Sequence, residues 1–381
     1  MNRRTKASLP TEVREPLLAK AIDDRSPSDL ENNLKTLIRS TKDRLIANIL
    51  INTPIRLFHL KDGVASALLV TLLWAISIYL IAAALNKVVN TSAGVFTPLA
   101  ALASIIAAAS LGVVKILHDE ILPPNLDNLV AWPYDESGLA ALHNWFESLL
   151  SMKKQLLTSC LLAVFAVVTL NIVERNTSAK FEIGTYLSVF SAMFSVGHGL
   201  YCAVKIPTLA KAATKQRMNL YWLDPANTPI LKIASSAFAK LSIADGAIAT
   251  LCIVALYWFR PWESLLVATI SAFWLVAGLV AVTYSFVYPY HYITRGIKDD
   301  KRRQMSHLQS IIAPFRSRLD QLNEHDYKKL DELLKLYDRI ATAKDSTLDI
   351  PALSRFFTSL VVPTLSFVIG LIDWKKLLNL P

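Results

Sequence analysis

The chain has 381 residues, 53% of them apolar and 18% charged, with a net charge of +10 and a mean hydropathy of +0.38. That is too much apolar matter for two or three water-soluble domains of ordinary composition. The positive excess does not point to nucleic acid either, because Lys and Arg flank long uncharged runs, where they would meet anionic lipid headgroups at a bilayer surface.

Residues 1–27 are rich in Pro, Ser and charge and hold too few apolar side chains to build a core, so a disordered tail is expected. This stretch lacks the short apolar core and small-residue cleavage site of a secretory signal, which leaves the first apolar helix to act as the insertion signal. Ser28 with Glu31 three positions on forms a capping-box pattern. Leu30, Leu34, Leu37, Ile38, Leu45, Ile46 and Ile49 follow at helical spacing. The pattern predicts an amphipathic helix over 28–51, within a segment reaching residue 62 and ended by Pro54.

A hydrocarbon core about 30 Å thick takes about 20 residues of helix at 1.5 Å per residue. Six segments qualify: 64–85, 95–117, 155–173, 183–206, 241–259 and 264–288. Short connections at 86–94, 174–182 and 260–263 alternate with long ones at 118–154, 207–240 and 289–355. The spans therefore pair as three hairpins over 63–292, and the predicted fold class is an all-α polytopic transmembrane bundle. The long connections at 129–138 and 221–229 each hold Trp, Pro and an acid, as aromatic-anchored turns would, with Asn227 or Thr228 capping the helix that follows. A further apolar segment, 356–372 within the C-terminal region 353–381, is 17 residues long with Pro363 near its middle. It crosses as a seventh span, dips in and returns, or lies in the interface.

Beyond the sixth span, Met305, Leu308, Ile312, Phe315, Leu319 and Leu322 step by three and four, a short coiled-coil seam. After Asn323–Asp326 the phase resets, and Leu330, Leu333, Tyr337 and Ile340 make a second stripe. A helical hairpin over 293–352 is expected, with Pro314 kinking its first arm or marking that arm's start. Its stripes bury against each other or against the bundle; the rival is a docking surface over 297–345 for a protein partner or a second copy.

Positive residues collect on the cytoplasmic side of membrane proteins. With the N-terminus inside, 34 of the 40 Lys and Arg lie on the inner side and four (Lys87, Arg175, Lys180 and Arg260) on the outer side. The expected location is the plasma (cell inner) membrane with a cytoplasmic N-terminus.

The chain carries no glycine-rich phosphate loop, His-Glu-x-x-His or Gly-x-Ser-x-Gly motif, so neither a cofactor nor an enzymatic role is expected. Cys160, Cys202 and Cys252 all sit in apolar runs, where a thiol behaves as a small hydrophobe. Residues 195–199, Ser-Val-Gly-His-Gly, resemble the five-residue Thr-Val-Gly-Tyr-Gly filter of potassium channels, but the Lys-bearing run that follows is unsuited to a pore-lining helix. The same stretch places Ser191, Ser195, Gly199 and Ala203 every four residues, a small-residue stripe for close helix packing. The three-hairpin plan is similar to that of mitochondrial carriers, yet the Pro-x-acid-x-x-base motif of that family is missing.

Three polar residues in the apolar runs stand out as candidate functional groups. His198 and Cys202 lie four apart on one helix face, the start of a soft-metal pair that lacks a second half, or a histidine bonded across the bundle. Asp245 near the inner end of the fifth span is the candidate for transport or, with His198, a proton relay. The expected function is a non-enzymatic scaffold, sensor or regulatory subunit acting through the inner helices. The alternatives are a channel or transporter lined by Thr158, Ser159, Thr169 and His198, and a membrane enzyme acting on lipid through His198 and Asp245.

Overall fold

The computed structural model describes residues 32–37, 40, 44–60, 64–89, 96–121, 136–178, 180–214, 220, 223–256, 263–316, 323–348 and 350–371. The expected tail over 1–27, the Ser28–Glu31 cap, Leu319, Leu322 and most of the two aromatic turns lie outside them. Among the described residues the chain is helical, without a strand. In order come α1 (Ile46–Leu57), α2 (Val64–Val89), α3 (Phe96–Ile121), α4 (Glu136–Leu149), α5 (Met152–Asn176), α6 (Ile183–Lys205) and the short α7 (Thr208–Thr214). A 3-10 turn at Pro225–Asn227 leads into α8 (Pro229–Leu256), followed by α9 (Leu265–Arg316), α10 (Glu324–Thr342) and α11 (Ile350–Leu371).

Among the described residues six helical stretches are long and apolar enough to cross a membrane: Ala65–Val89, Met152–Asn176, Ile183–Ala212, Ala234–Leu256, Leu265–Phe315 and Ile350–Ile369. α3 contributes a shorter apolar stretch, Leu99–Lys115, inside its 26 residues. These helices show the reversed exposure of a protein solvated by lipid. On α2, Leu68, Leu69, Leu72, Leu73, Ile76, Leu80 and Ile81 all face outward, an apolar surface that water would not tolerate. Inside, Ser104, Ser110, Thr169, Ser195 and Thr250 each donate to the carbonyl four residues earlier, so their hydroxyls are satisfied within their own helix.

Packing follows the small residues. α6 lies against α2, α3 and α5, while α8 lies against α3, α9 and α11. At Gly197 a Cβ would come 2.7 Å from the Ser159 Cα of α5, so glycine is what lets the two backbones meet. The predicted stripe is therefore shifted: Ser195 and Ala203 are buried, but the closest approach falls on Gly197, and Gly199 has only a Val114 methyl at 3.9 Å. Because 195–199 is continuous α-helix, its carbonyls are spent on backbone bonds and present no filter.

The N-terminal segment differs from the single amphipathic helix predicted over 28–51. Residues 32–37 are helical, Leu45 is extended, and α1 begins afresh at Ile46 and runs through Pro54 to Leu57. Pro54 lacks the N–H that would bond to the Leu50 carbonyl, and the indole N–H of Trp74 on α2 donates to that carbonyl instead, at 2.9 Å. The helix stops at His59, whose φ of 52° is left-handed; His59 N–H donates to Arg56 O and Leu60 N–H to Ile55 O, the paired bonds of a Schellman cap.

Two further expectations are revised by helix continuity. α9 is a single helix of 52 residues with Pro289 and Pro314 inside it, so no break separates the sixth predicted span from the arm, and Pro314 stands near the helix's end rather than its start. The C-terminal apolar segment is part of a 22-residue helix, α11, continuous through Pro363. Pro363 removes the N–H partner of the Ser359 carbonyl, and Gly246 of α8 fits against that point: a Cβ there would sit 2.8 Å from Ser359 O and 2.7 Å from Ser359 Cβ. Ser242 and Ser359 hydroxyls meet at 3.2 Å, and Phe286 stacks on Phe356 with ring centroids 4.3 Å apart.

α10 packs back on α9. Leu308 and Ile340 are buried and Met305, Ile312, Leu330, Leu333 and Tyr337 partly so, which places the two predicted stripes toward each other. Lys301 locks the end of α10: its ammonium donates to Ala341 O at 3.2 Å, Ala343 O at 2.7 Å and Asp345 Oδ1 at 2.6 Å. A cation on the last carbonyls of a helix both caps it and opposes the negative end of its dipole.

Candidate functional site

His198, Cys202 and Asp245 divide between two places in the bundle. His198 is fully buried on α6, and its Nε2 accepts the Ala47 N–H at 3.2 Å. Ala47 belongs to the first turn of α1, where the N–H groups have no partner within the helix. Gln155 of α5 takes the neighbouring donor, its Oε1 accepting Ile46 N–H at 3.1 Å, while its Nε2 donates to Leu149 O at 3.1 Å at the end of α4. One amide thus closes the end of one helix and the start of another. His198 bonds across the bundle to a backbone donor, and as acceptor its Nε2 leaves the ring proton on Nδ1. That Nδ1 is buried without a hydrogen-bond partner among the described residues.

Cys202, one turn on, has its sulfur 3.9 Å from His198 Nε2 and its opposite side on a crevice. The crevice has a volume of about 180 Å³ and lies between α3, α5 and α6 on one side and α8 and α9 on the other. Its walls are apolar, mixing small residues such as Ala103, Ala192, Gly199, Ala249 and Gly278 with Leu and Ile side chains, and with Met193 and Trp274 among the largest.

Asp245 is the one ionisable carboxyl group lining the crevice. Ser285 of α9 donates to its Oδ2 at 2.6 Å, the better-placed of two acceptors for that hydroxyl, the other being Ala203 O at 3.5 Å. No other hydrogen bond to Asp245 occurs among the described residues, so Oδ1 is left to the crevice. Asp245 is partly exposed although protein surrounds it, because its accessible surface is the crevice wall.

The relay expected between His198 and Asp245 is not assembled: the histidine holds α1, the aspartate holds Ser285, and no hydrogen bond joins them among the described residues. Among the same residues no three His, Cys, Asp or Glu side chains gather as metal ligands, and Cys160, Cys202 and Cys252 are free thiols. Of the hydroxyls named for a path, Thr158 bonds back to Lys154 O, Ser159 is buried against Gly197, and Thr169 alone lines the crevice. Lys115 is buried, at 8% exposure.

Sequence reasoning missed Gln155, Ser285 and Lys301. Gln155 carried a signal, being the polar residue that opens an otherwise apolar run, whereas Ser285 and Lys301 have ordinary sequence surroundings and gain their roles from helices distant in the chain. Other side-chain caps repeat the pattern at α6, where Asn86 of α2 accepts Gly184 N–H at 2.7 Å, and at Ser178, whose N–H and hydroxyl donate to Glu263 at 2.7 and 2.9 Å. No family model, curated protein or solved structure matches the chain.

Proposed function

We propose that the chain is a seven-crossing protein of the plasma (cell inner) membrane, with its N-terminus and its basic segments in the cytosol. In this reading it is a non-enzymatic scaffold, sensor or regulatory subunit that couples its bundle to a cytosolic helical arm, α10 and the far half of α9. The observation that carries this reading is the continuity of α9, which passes from the apolar bundle into the charged arm as one helix, with α10 locked back on it by Lys301. The distribution of Lys and Arg, 34 against four, supports the orientation. The seventh crossing is supported by α11: from Ser359 onward it runs beside α8 from Gly246, and ten more residues carry each about 15 Å further. Its outward Phe357, Val361, Val362, Leu365, Val368 and Ile369 suit lipid.

The test uses the full chain in liposomes and in its native membrane. The expected result is no selective ion or solute flux in liposomes, together with one reproducible species trapped by photo-crosslinkers at exposed α10 positions such as Tyr327 and Leu334. A selective flux from the protein alone would refute the scaffold reading and establish the second one, a channel or transporter, which the crevice and Asp245 favour. Protease-accessible tags at the two termini should lie on opposite sides of the membrane; tags on the same side would remove the seventh crossing.

A further inference from the structure

A carboxylate facing an apolar crevice is costly to hold unless charge and hydrogen bonds compensate it. Ser285 satisfies one oxygen of Asp245, and no cationic side chain pairs with the other among the described residues. Either a proton or a cationic group that enters the crevice can compensate that oxygen, and only the second leaves the carboxylate charged. Anions are repelled there, a neutral apolar molecule leaves Oδ1 without a donor, and a metal ion lacks a set of ligands among the described residues. An ammonium group supplies both countercharge and donors, and the apolar walls supply room for the body attached to it. At about 180 Å³ the crevice is slightly larger than an engineered apolar cavity of about 150 Å³ that takes up benzene. One ring with a short linker fills it, and Trp274 and Met193 on the wall offer favourable contacts to such a ring.

We propose that the crevice is a binding site for a small lipophilic ammonium, its apolar body held between α3, α6, α8 and α9 and its charge on the free oxygen of Asp245. The proposal does not depend on the arm having a partner, since it rests only on the crevice and its carboxylate.

The probe is 2-phenylethylamine, with 2-phenylethanol as its neutral counterpart of equal size, titrated calorimetrically into the full chain in phosphatidylcholine nanodiscs against empty nanodiscs. The amine is expected to bind saturably and at least tenfold more tightly than the alcohol. Asp245→Asn should bring the amine down to the alcohol's affinity. Gly199→Leu should weaken both, because a side chain at Gly199 meets only Val114 at 3.9 Å and otherwise grows into the crevice. Equal binding of amine and alcohol by the unaltered protein, or no saturable amine binding, overturns the proposal without recourse to any variant. So does an amine affinity that survives Asp245→Asn.

Discussion

Replacing His198 by Ala removes the acceptor for Ala47 N–H and leaves that donor buried at the start of α1. An unsatisfied buried donor costs about 1–3 kcal/mol. The same substitution also deletes the buried Nδ1, which has no partner, so the net loss falls toward the lower end, about 1 kcal/mol. Because α1 is held at several points, by Gln155 at Ile46, by Trp74 at Leu50 and by the burial of Ile51 and Ile55, the change should loosen the helix rather than expel it. Hydrogen exchange over 46–57, measured by mass spectrometry on the chain in nanodiscs, should quicken roughly five- to tenfold, a ratio that follows from about 1–1.4 kcal/mol. Gln155→Leu should have the larger effect, since it strips Ile46 N–H and Leu149 O together. The two losses will not add, because both act on one helix end. If α1 exchanges at the unaltered rate in His198→Ala while the fold is intact, the capping role is wrong.

Lys301→Met should free the end of α10 by about 1.5–3 kcal/mol, the range for charged hydrogen bonds, seen as faster exchange over 335–343 with α9 unchanged. Gly246→Val should push α11 off α8; a Ser242→Cys, Ser359→Cys pair in a background without native cysteines should cross-link under mild oxidation, and should fail to do so once Val is added. The hydrogen bond from Lys301 holds the Asp345 carboxyl below the usual carboxylate range. Its folded value is thus lower than its unfolded one, so its contribution is present above the unfolded value, about 3.9, and is lost as pH falls through the folded one. Carboxyl NMR should find Asp345 titrating below the usual range in the unaltered protein and at an ordinary value in Lys301→Met.

Much of the fold was legible because lipid solvation imposes one strong constraint: runs of about 20 apolar residues become helices wherever they fall. On the arm, Leu308 and Ile340, one from each spaced set, are buried. What could not be read was set by partners far along the chain. Pro54 signals a stop in isolation, and only the indole of Trp74 makes its freed carbonyl harmless. A four-residue period cannot say whether Gly197 or Gly199 meets the next helix, because that depends on how α6 is rotated against α5. The candidates His198, Cys202 and Asp245 were legible as polar groups in apolar runs, but their division between a helix cap and a crevice was not.

The unbroken course of α9 has a mechanical consequence. Some 27 residues lie beyond Pro289, a rod of roughly 40 Å. A pivot of only about 5° among the packed helices would swing its far end by roughly 3–4 Å, about the width of one hydrogen-bonding contact, with no hinge along the way to absorb it. Small rearrangements at the crevice would thus arrive at the tip magnified, and Pro289, whose missing N–H frees the Ser285 carbonyl at the base of the rod, would set how faithfully they travel.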